Sequence, residues 1–196
     1  ERRSQTAHST YILLRIMCGY RSVCRRCHYL PQCLCADIPC GENSVCACTG
    51  ALICDDVAAP VKGNAVPYTD IPDPTFASGI LGTGVGINPT GETVFAPYDG
   101  TISSVADSKH AIGITGAGDM ELLIHVGVDT VEMNGDGFEC LVKTGDEVKA
   151  GQPLMKFDRA KIAAAGHPDM VVVLLTNADD YDAVEIHPEA EQEGDA

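Results

Sequence analysis

From Val57 onward, Gly, Pro, Asn and Asp interrupt the chain every few residues, and the runs between them are short and either apolar or alternating. Runs of that length, so punctuated, build strands rather than long helices and predict an all-β antiparallel sandwich or barrel. The expected strands are 57–61, 84–87, 93–96, 100–105, 110–114, 121–126, 138–142, 154–157, 170–176 and 183–186. Pro97-Tyr98-Asp99-Gly100 reads as a tight turn, with Pro fixing φ and Gly closing it. Asn134-Gly135 and Asp136-Gly137 supply residues that tolerate positive φ. One helix is expected, with Asp158 as N-cap, a body from Arg159 to Ala165, and Gly166 and Pro168 ending it.

The first quarter of the chain has a different character. Residues 1–54 hold six Arg against three acids, a balance of +3, whereas residues 55–196 balance to −18. Nine of the ten cysteines lie at or before Cys54, and only Cys140 lies beyond. Such a change predicts a cysteine-rich leader over 1–54, disordered or non-native, then a folded domain over 55–188 and an acidic tail over 189–196. Cys24-Arg25-Arg26-Cys27-His28 has the spacing of a c-type haem attachment, but no second axial ligand accompanies it. A zinc knuckle would need a second C-x2-C pair, and the later pairs (Cys33/Cys35 and Cys46/Cys48) are C-x-C. A disulfide framework would require an oxidising compartment. The leader is therefore assigned no chemistry. Its longest apolar run, Tyr11 to Met17, is broken by Arg15 and is far shorter than the roughly 20 residues of a spanning helix. The net charge of −15 excludes a broad basic surface for nucleic acid.

Two segments, 96–102 and 143–154, share a strand–turn–strand pattern. The second resembles the turn of lipoyl-type domains and other barrel-sandwich hybrids. Lys156 follows Met155 as a lipoyl lysine would, yet it lies in an apolar strand rather than at a hairpin tip, so cofactor attachment there is not expected.

The chemistry gathers on two histidines. On a strand, Glu121, Leu123, His125 and Gly127 point one way and Leu122, Ile124 and Val126 the other, and Ser108, His110 and Ile112 likewise share a face. If these strands pair, the two imidazoles meet, with the Ser108 hydroxyl able to hold His110. A neutral imidazole, with an ordinary pKa of about 6.5, is a competent nucleophile at neutral pH. Phosphoryl transfer asks mainly for in-line positioning and for donors to the equatorial oxygens, which a second imidazole provides. For either histidine alone, the bland alternative of a hydrogen-bonded core residue would be preferred. A zinc peptidase of the lysostaphin type needs H-x3-D and a later H-x-H; His125 and Asp129 supply the first, and no H-x-H exists. No nucleophile elbow marks a serine hydrolase.

Several motifs in order carry a resemblance: Ile71-Pro72-Asp73-Pro74-Thr75-Phe76-Ala77, Gly82-Thr83-Gly84-Val85, Ala96-Pro97-Tyr98-Asp99-Gly100, His110-Ala111-Ile112 and Ile124 through Val131. Gly135-Asp136-Gly137-Phe138 and Gly145-Asp146-Glu147-Val148 follow. Together, over about residues 57–187, they resemble the IIA component or domain of the glucose family of the bacterial phosphoenolpyruvate-dependent sugar phosphotransferase system.

The resemblance implies an all-β sandwich with one or two short helices, acting in the cytoplasm as a phosphotransferase component. It implies that His125 accepts phosphate from the phosphocarrier HPr and passes it to a cysteine of a IIB domain, and that His110 stabilises the phosphorylated state. Ser108 stands where the family usually has the Thr that orients the second histidine. Phe76, Asp129 and Val131 match positions where partners dock, while Ala106, Ile112 and Leu123 stand where relatives carry more phenylalanine around the rim. No cofactor is implied; zinc would enter only at a partner interface, bridged by His110 and His125. Regulated permeases and glycerol kinase are further partners that some family members bind when unphosphorylated. The arrangement expected is a stand-alone IIA or the C-terminal part of a larger permease, with the sugar left open.

Overall fold

The structure, a computed structural model, describes residues 12–18, 52–181 and 183–186. All ladders between its strands are antiparallel. In chain order the strands are β1 (Ile12–Cys18), β2 (Leu52–Ala58), β3 (Gly63–Pro67), β4 (Thr83–Pro89), β5 (Thr93–Phe95), β6 (Gly100–Val105) and β7 (Ala111–Gly116). They continue as β8 (Glu121–Val126), β9 (Phe138–Cys140), β10 (Glu147–Val148), β11 (Pro153–Phe157), β12 (Val171–Leu175) and β13 (Ala183–Ile186). The α-helices among the described residues are short: α1 (Pro74–Ala77) and α2 (Arg159–Ala164). The expected all-β class with one or two short helices is what the chain forms.

The main sheet runs β10-β6-β7-β8-β12-β4-β3, and two three-stranded sheets, β5-β11-β9 and β13-β1-β2, complete the described strands. Five consecutive buried residues make up β12, which separates two apolar clusters. Val171, Val173 and Leu175 face the large core, which also takes Ile112, Ile114, Leu122, Ile124 and Leu154. Val172 and Leu174 face the other way, into a small cluster with Ile71, Phe76 and Met170. His125 lies opposite Val172 in the ladder, so its side chain emerges on the face of this second cluster.

Local chemistry explains several boundaries. The Asp158 carboxylate accepts from the Lys161 amide at 3.0 Å and starts α2 as expected. The Asp73 carboxylate caps α1 by accepting from Thr75 and Phe76, with Pro74 at the first helical position, where its missing N–H costs nothing. The two look-alike segments lie side by side: Glu147 and Val148 pair with Thr101 and Gly100. Asp99 then joins their turns, accepting from the Ala150 amide at 2.8 Å and from the Lys149 ammonium at 2.9 Å.

Three expectations are adjusted. Strand β3 falls in a stretch that reads as loop. The leader is not structureless at Ile12–Cys18, which sits between β2 and β13, with Leu14 fully buried; its haem-like and zinc-like cysteine patterns lie outside the described residues, as does the acidic tail. Ile112 belongs to the core rather than to any rim, with no exposed surface.

Candidate functional site

The site forms where β7 begins and β8 ends. His125 faces Ala111 across that ladder, so His110, one residue outside the strand, stands beside it. The backbone reinforces the pairing, because the Val126 amide donates to the His110 carbonyl at 2.8 Å. The imidazole rings lie 4.6 Å apart, centroid to centroid, with planes at 74°. Strand alternation alone does not bring Ser108 to His110. Lys109 takes a left-handed conformation, φ 57°, in the turn entering β7, and this folds the Ser108 hydroxyl to within 2.7 Å of His110 Nδ1.

His125 Nδ1 lies 2.8 Å from the Gly127 carbonyl oxygen. A carbonyl can only accept, so the ring carries its proton on Nδ1 and the Nε2 lone pair is available. Gly127 must be glycine here. Its φ is 78°, and a Cβ would come within 2.2 Å of Thr130 Cγ2.

Burial first of all pushes the pKa of His125 down to about 4, and repulsion from a protonated His110 adds to this. The Gly127 carbonyl, Asp73 and Asp129 pull the other way without offsetting it. Burial also lowers the pKa of His110. His110 exposes only 8% of its own surface, yet desolvation bears harder on His125, which is hemmed in by the Phe76 ring and the second cluster. Both rings are therefore neutral at physiological pH.

Phe76 meets the His125 ring edge-on, with centroids 5.1 Å apart and planes at 62°. Asp129 is exposed in a left-handed turn beside His125, and Val131, 54% exposed, stands on the following turn. The structure thus gathers His110, His125, Ser108, Phe76 and Asp129 at one place, with Val131 exposed two positions beyond Asp129. Sequence reasoning missed Asp73, whose charge reaches His125 while its carboxylate caps the helix bearing Phe76. Ile80 and Leu81, two adjacent aliphatics between Gly79 and Gly82 that sequence reasoning did not single out, are also exposed in the loop leaving α1.

Both Nδ1 atoms are engaged, so the two Nε2 atoms are the ring positions left for chemistry. They could supply two ligands to a zinc ion, but among the described residues no third His, Cys, Asp or Glu completes a site. Also among the described residues, no helix is long and apolar enough to cross a membrane.

Residues 55–181 match the sequence profile of the family described as phosphoenolpyruvate-dependent sugar phosphotransferase system, EIIA 1. The chain belongs to this family. A glucose-specific EIIA component from Staphylococcus epidermidis is 41% identical over 130 residues, spanning 66% of the chain and 78% of that relative. Its counterpart from Staphylococcus aureus is 41% identical over 133 residues, spanning 68% and 80% respectively. The glucose-specific EIIBCA component of Corynebacterium glutamicum is 43% identical over 126 residues, 64% of the chain but only 19% of that longer protein. The glucose permease IIA from Mycoplasma capricolum superposes with a TM-score of 0.58 at 33% identity, covering 62% of this chain and 79% of its own. This EIIA chain therefore shares the fold of its relatives and is a glucose-type component of the phosphotransferase system.

Proposed function

We propose that the protein is a phosphoryl carrier in which His125 Nε2 accepts phosphate from phospho-HPr and passes it to a cysteine of a IIB domain. The observation that carries this reading is the Nδ1–H donated to the Gly127 carbonyl, which leaves Nε2 as an unprotonated lone pair. In the step, the Nε2 lone pair forms the N–P bond as the bond between phosphorus and the donor imidazole breaks. The Nδ1 proton stays in place, and positive charge developing on the ring strengthens its hydrogen bond to Gly127. His110 lies where its Nε2–H can donate to an equatorial phosphoryl oxygen, provided that Ser108 donates to its Nδ1 and selects that tautomer. The reverse attack by a thiolate returns His125 to its neutral state.

The apolar exposed side chains Ile80, Leu81 and Val131 and the acidic Asp129 suit partners that present an apolar surface with basic residues. A cytoplasmic location follows from this reading, since HPr and IIB meet the carrier there. Any zinc would need its remaining ligands from a partner. The test is incubation of the full chain with phosphoenolpyruvate, enzyme I and HPr, which should yield one acid-labile, base-stable phosphohistidine. Labelling that persists in His125→Ala would overturn the assignment.

A further inference from the structure

Selection of the His125 tautomer depends on where the Gly127 carbonyl points, and the chain from Val126 to Thr130 shows how that direction is held. In the peptide linking Val126 to Gly127, the N–H donates to the Met170 carbonyl at 2.8 Å. The carbonyl of the same peptide accepts from the Thr130 hydroxyl at 2.6 Å. In the next peptide, the Val128 N–H donates to the Pro168 carbonyl at 3.0 Å, and the Gly127 carbonyl accepts from His125. Two successive peptide planes are thus each tied at both ends, and apart from His125 itself the only side chain among the ties is Thr130. Gly127 and Asp129 both take left-handed conformations, φ 78° and 59°, so the loop is not one that strand geometry would impose. Thr130 is fully buried, and its methyl fills the space over the Gly127 Cα.

We propose that Thr130 is a positioning residue for phosphoryl transfer: its buried hydroxyl, bonded to the Val126 carbonyl, fixes the Gly127 carbonyl against His125 Nδ1 and so keeps Nε2 free of its proton. The effect on transfer rests on the carrier reading above, whereas the effect on the tautomer stands apart from it. Thr130→Val keeps the shape and deletes the donor, leaving the Val126 carbonyl without that partner. Thr130→Ser keeps the donor.

The experiment is a two-bond 1H–15N correlation of the histidine rings of the full chain at neutral pH, paired with the rate of phosphate uptake from phospho-HPr. Wild type should show His125 protonated on Nδ1 alone. Thr130→Val should show a mixture containing Nε2–H and an uptake rate lower by about tenfold, as for other groups that fix a histidine tautomer from behind. Thr130→Ser should restore both. A folded Thr130→Val that keeps the Nδ1–H form overturns the proposal, even if it is less stable. Should that variant not fold, the wild-type spectrum still decides, since Nε2–H on His125, or a Thr130 hydroxyl proton without coupling to the Val126 carbonyl carbon, also overturns it. Failure of wild type to take up phosphate would remove the carrier reading while leaving the tautomer result intact.

Discussion

His110 and His125 stand with their rings 4.6 Å apart at 74°, close enough that a proton on either one disfavours a proton on the other. Each Nδ1 is satisfied within two residues of its own ring, by Ser108 and by Gly127 respectively. The two Nε2 atoms are consequently the ring positions left for chemistry.

Acid should destabilise the fold through His125. Its folded pKa, about 4, lies below the ordinary 6.5. Between those values the unfolded chain binds a proton that the folded chain refuses, so stability is intact above about 6.5 and falls as the pH drops towards 4. The loss from this one group is on the order of 3 kcal/mol, readable in urea unfolding at a series of pH values. In an NMR titration the ring should reach its midpoint near 4; a midpoint at the ordinary 6.5 would show a solvated imidazole and refute the account of its burial.

Removing His110 should separate uptake from delivery. His110→Ala is expected to accept phosphate on His125 yet pass it on about a hundredfold more slowly, since a donor to the transferring group is lost. Ser108→Ala should produce a smaller defect of the same kind, about tenfold, and Ser108→Thr should not. A chase of labelled protein into a IIB domain measures all three, and equal rates in His110→Ala and wild type would remove His110 from the transfer.

Phe76→Ala tests the wall of the site. Phe76 is 7% exposed and packs with Ile71, Met170, Val172 and Leu174, so truncation should cost about 2–4 kcal/mol. It should also admit water to His125 and raise that ring's titration midpoint. Asp73→Ala, which removes the cap of α1, should cost about 1 kcal/mol. An unchanged midpoint in Phe76→Ala would mean that other side chains exclude the water.

Gly84 probes the sheet itself. A Cβ at this position would fall 1.9 Å from the Val173 carbonyl oxygen, a backbone atom with no freedom to yield. Gly84→Ala should lower stability by more than about 2 kcal/mol in thermal unfolding, while the folded fraction still labels on His125. Wild-type stability would show that β4 and β12 can part without cost.

The strands were legible where apolar and punctuating residues alternate cleanly, as in β8, and so was the Asp158-capped helix. Strand β3 was not, because Gly63, Asn64 and Pro67 carry loop composition; it is an edge strand, where a proline costs no ladder hydrogen bond. Helix α1 hid behind Asp73-Pro74, which serves equally as turn punctuation and as N-cap and first helical residue. The pairing of Ile12–Cys18 with β13 joins residues more than 160 positions apart, and nothing local to either segment announces it. At the site, the two histidines and Ser108 were legible as residues, but face alternation does not account for their meeting: with Ala111 opposite His125, it would set His110 on the core face with Ile112, and the left-handed Lys109 at the entry to β7 delivers the Ser108 hydroxyl instead. Gly127's carbonyl was invisible because a backbone acceptor leaves no side chain to notice, and Thr130 because its hydroxyl bonds a backbone carbonyl rather than either histidine.

The short reach of the histidine ties has a further meaning. Ser108 to His110 and His125 to Gly127 each span two positions, so the Nδ1 partner of each ring comes from its own stretch of chain. The stretch of chain that carries these ties matches most of the length of the Staphylococcus relatives but only about a fifth of the Corynebacterium protein.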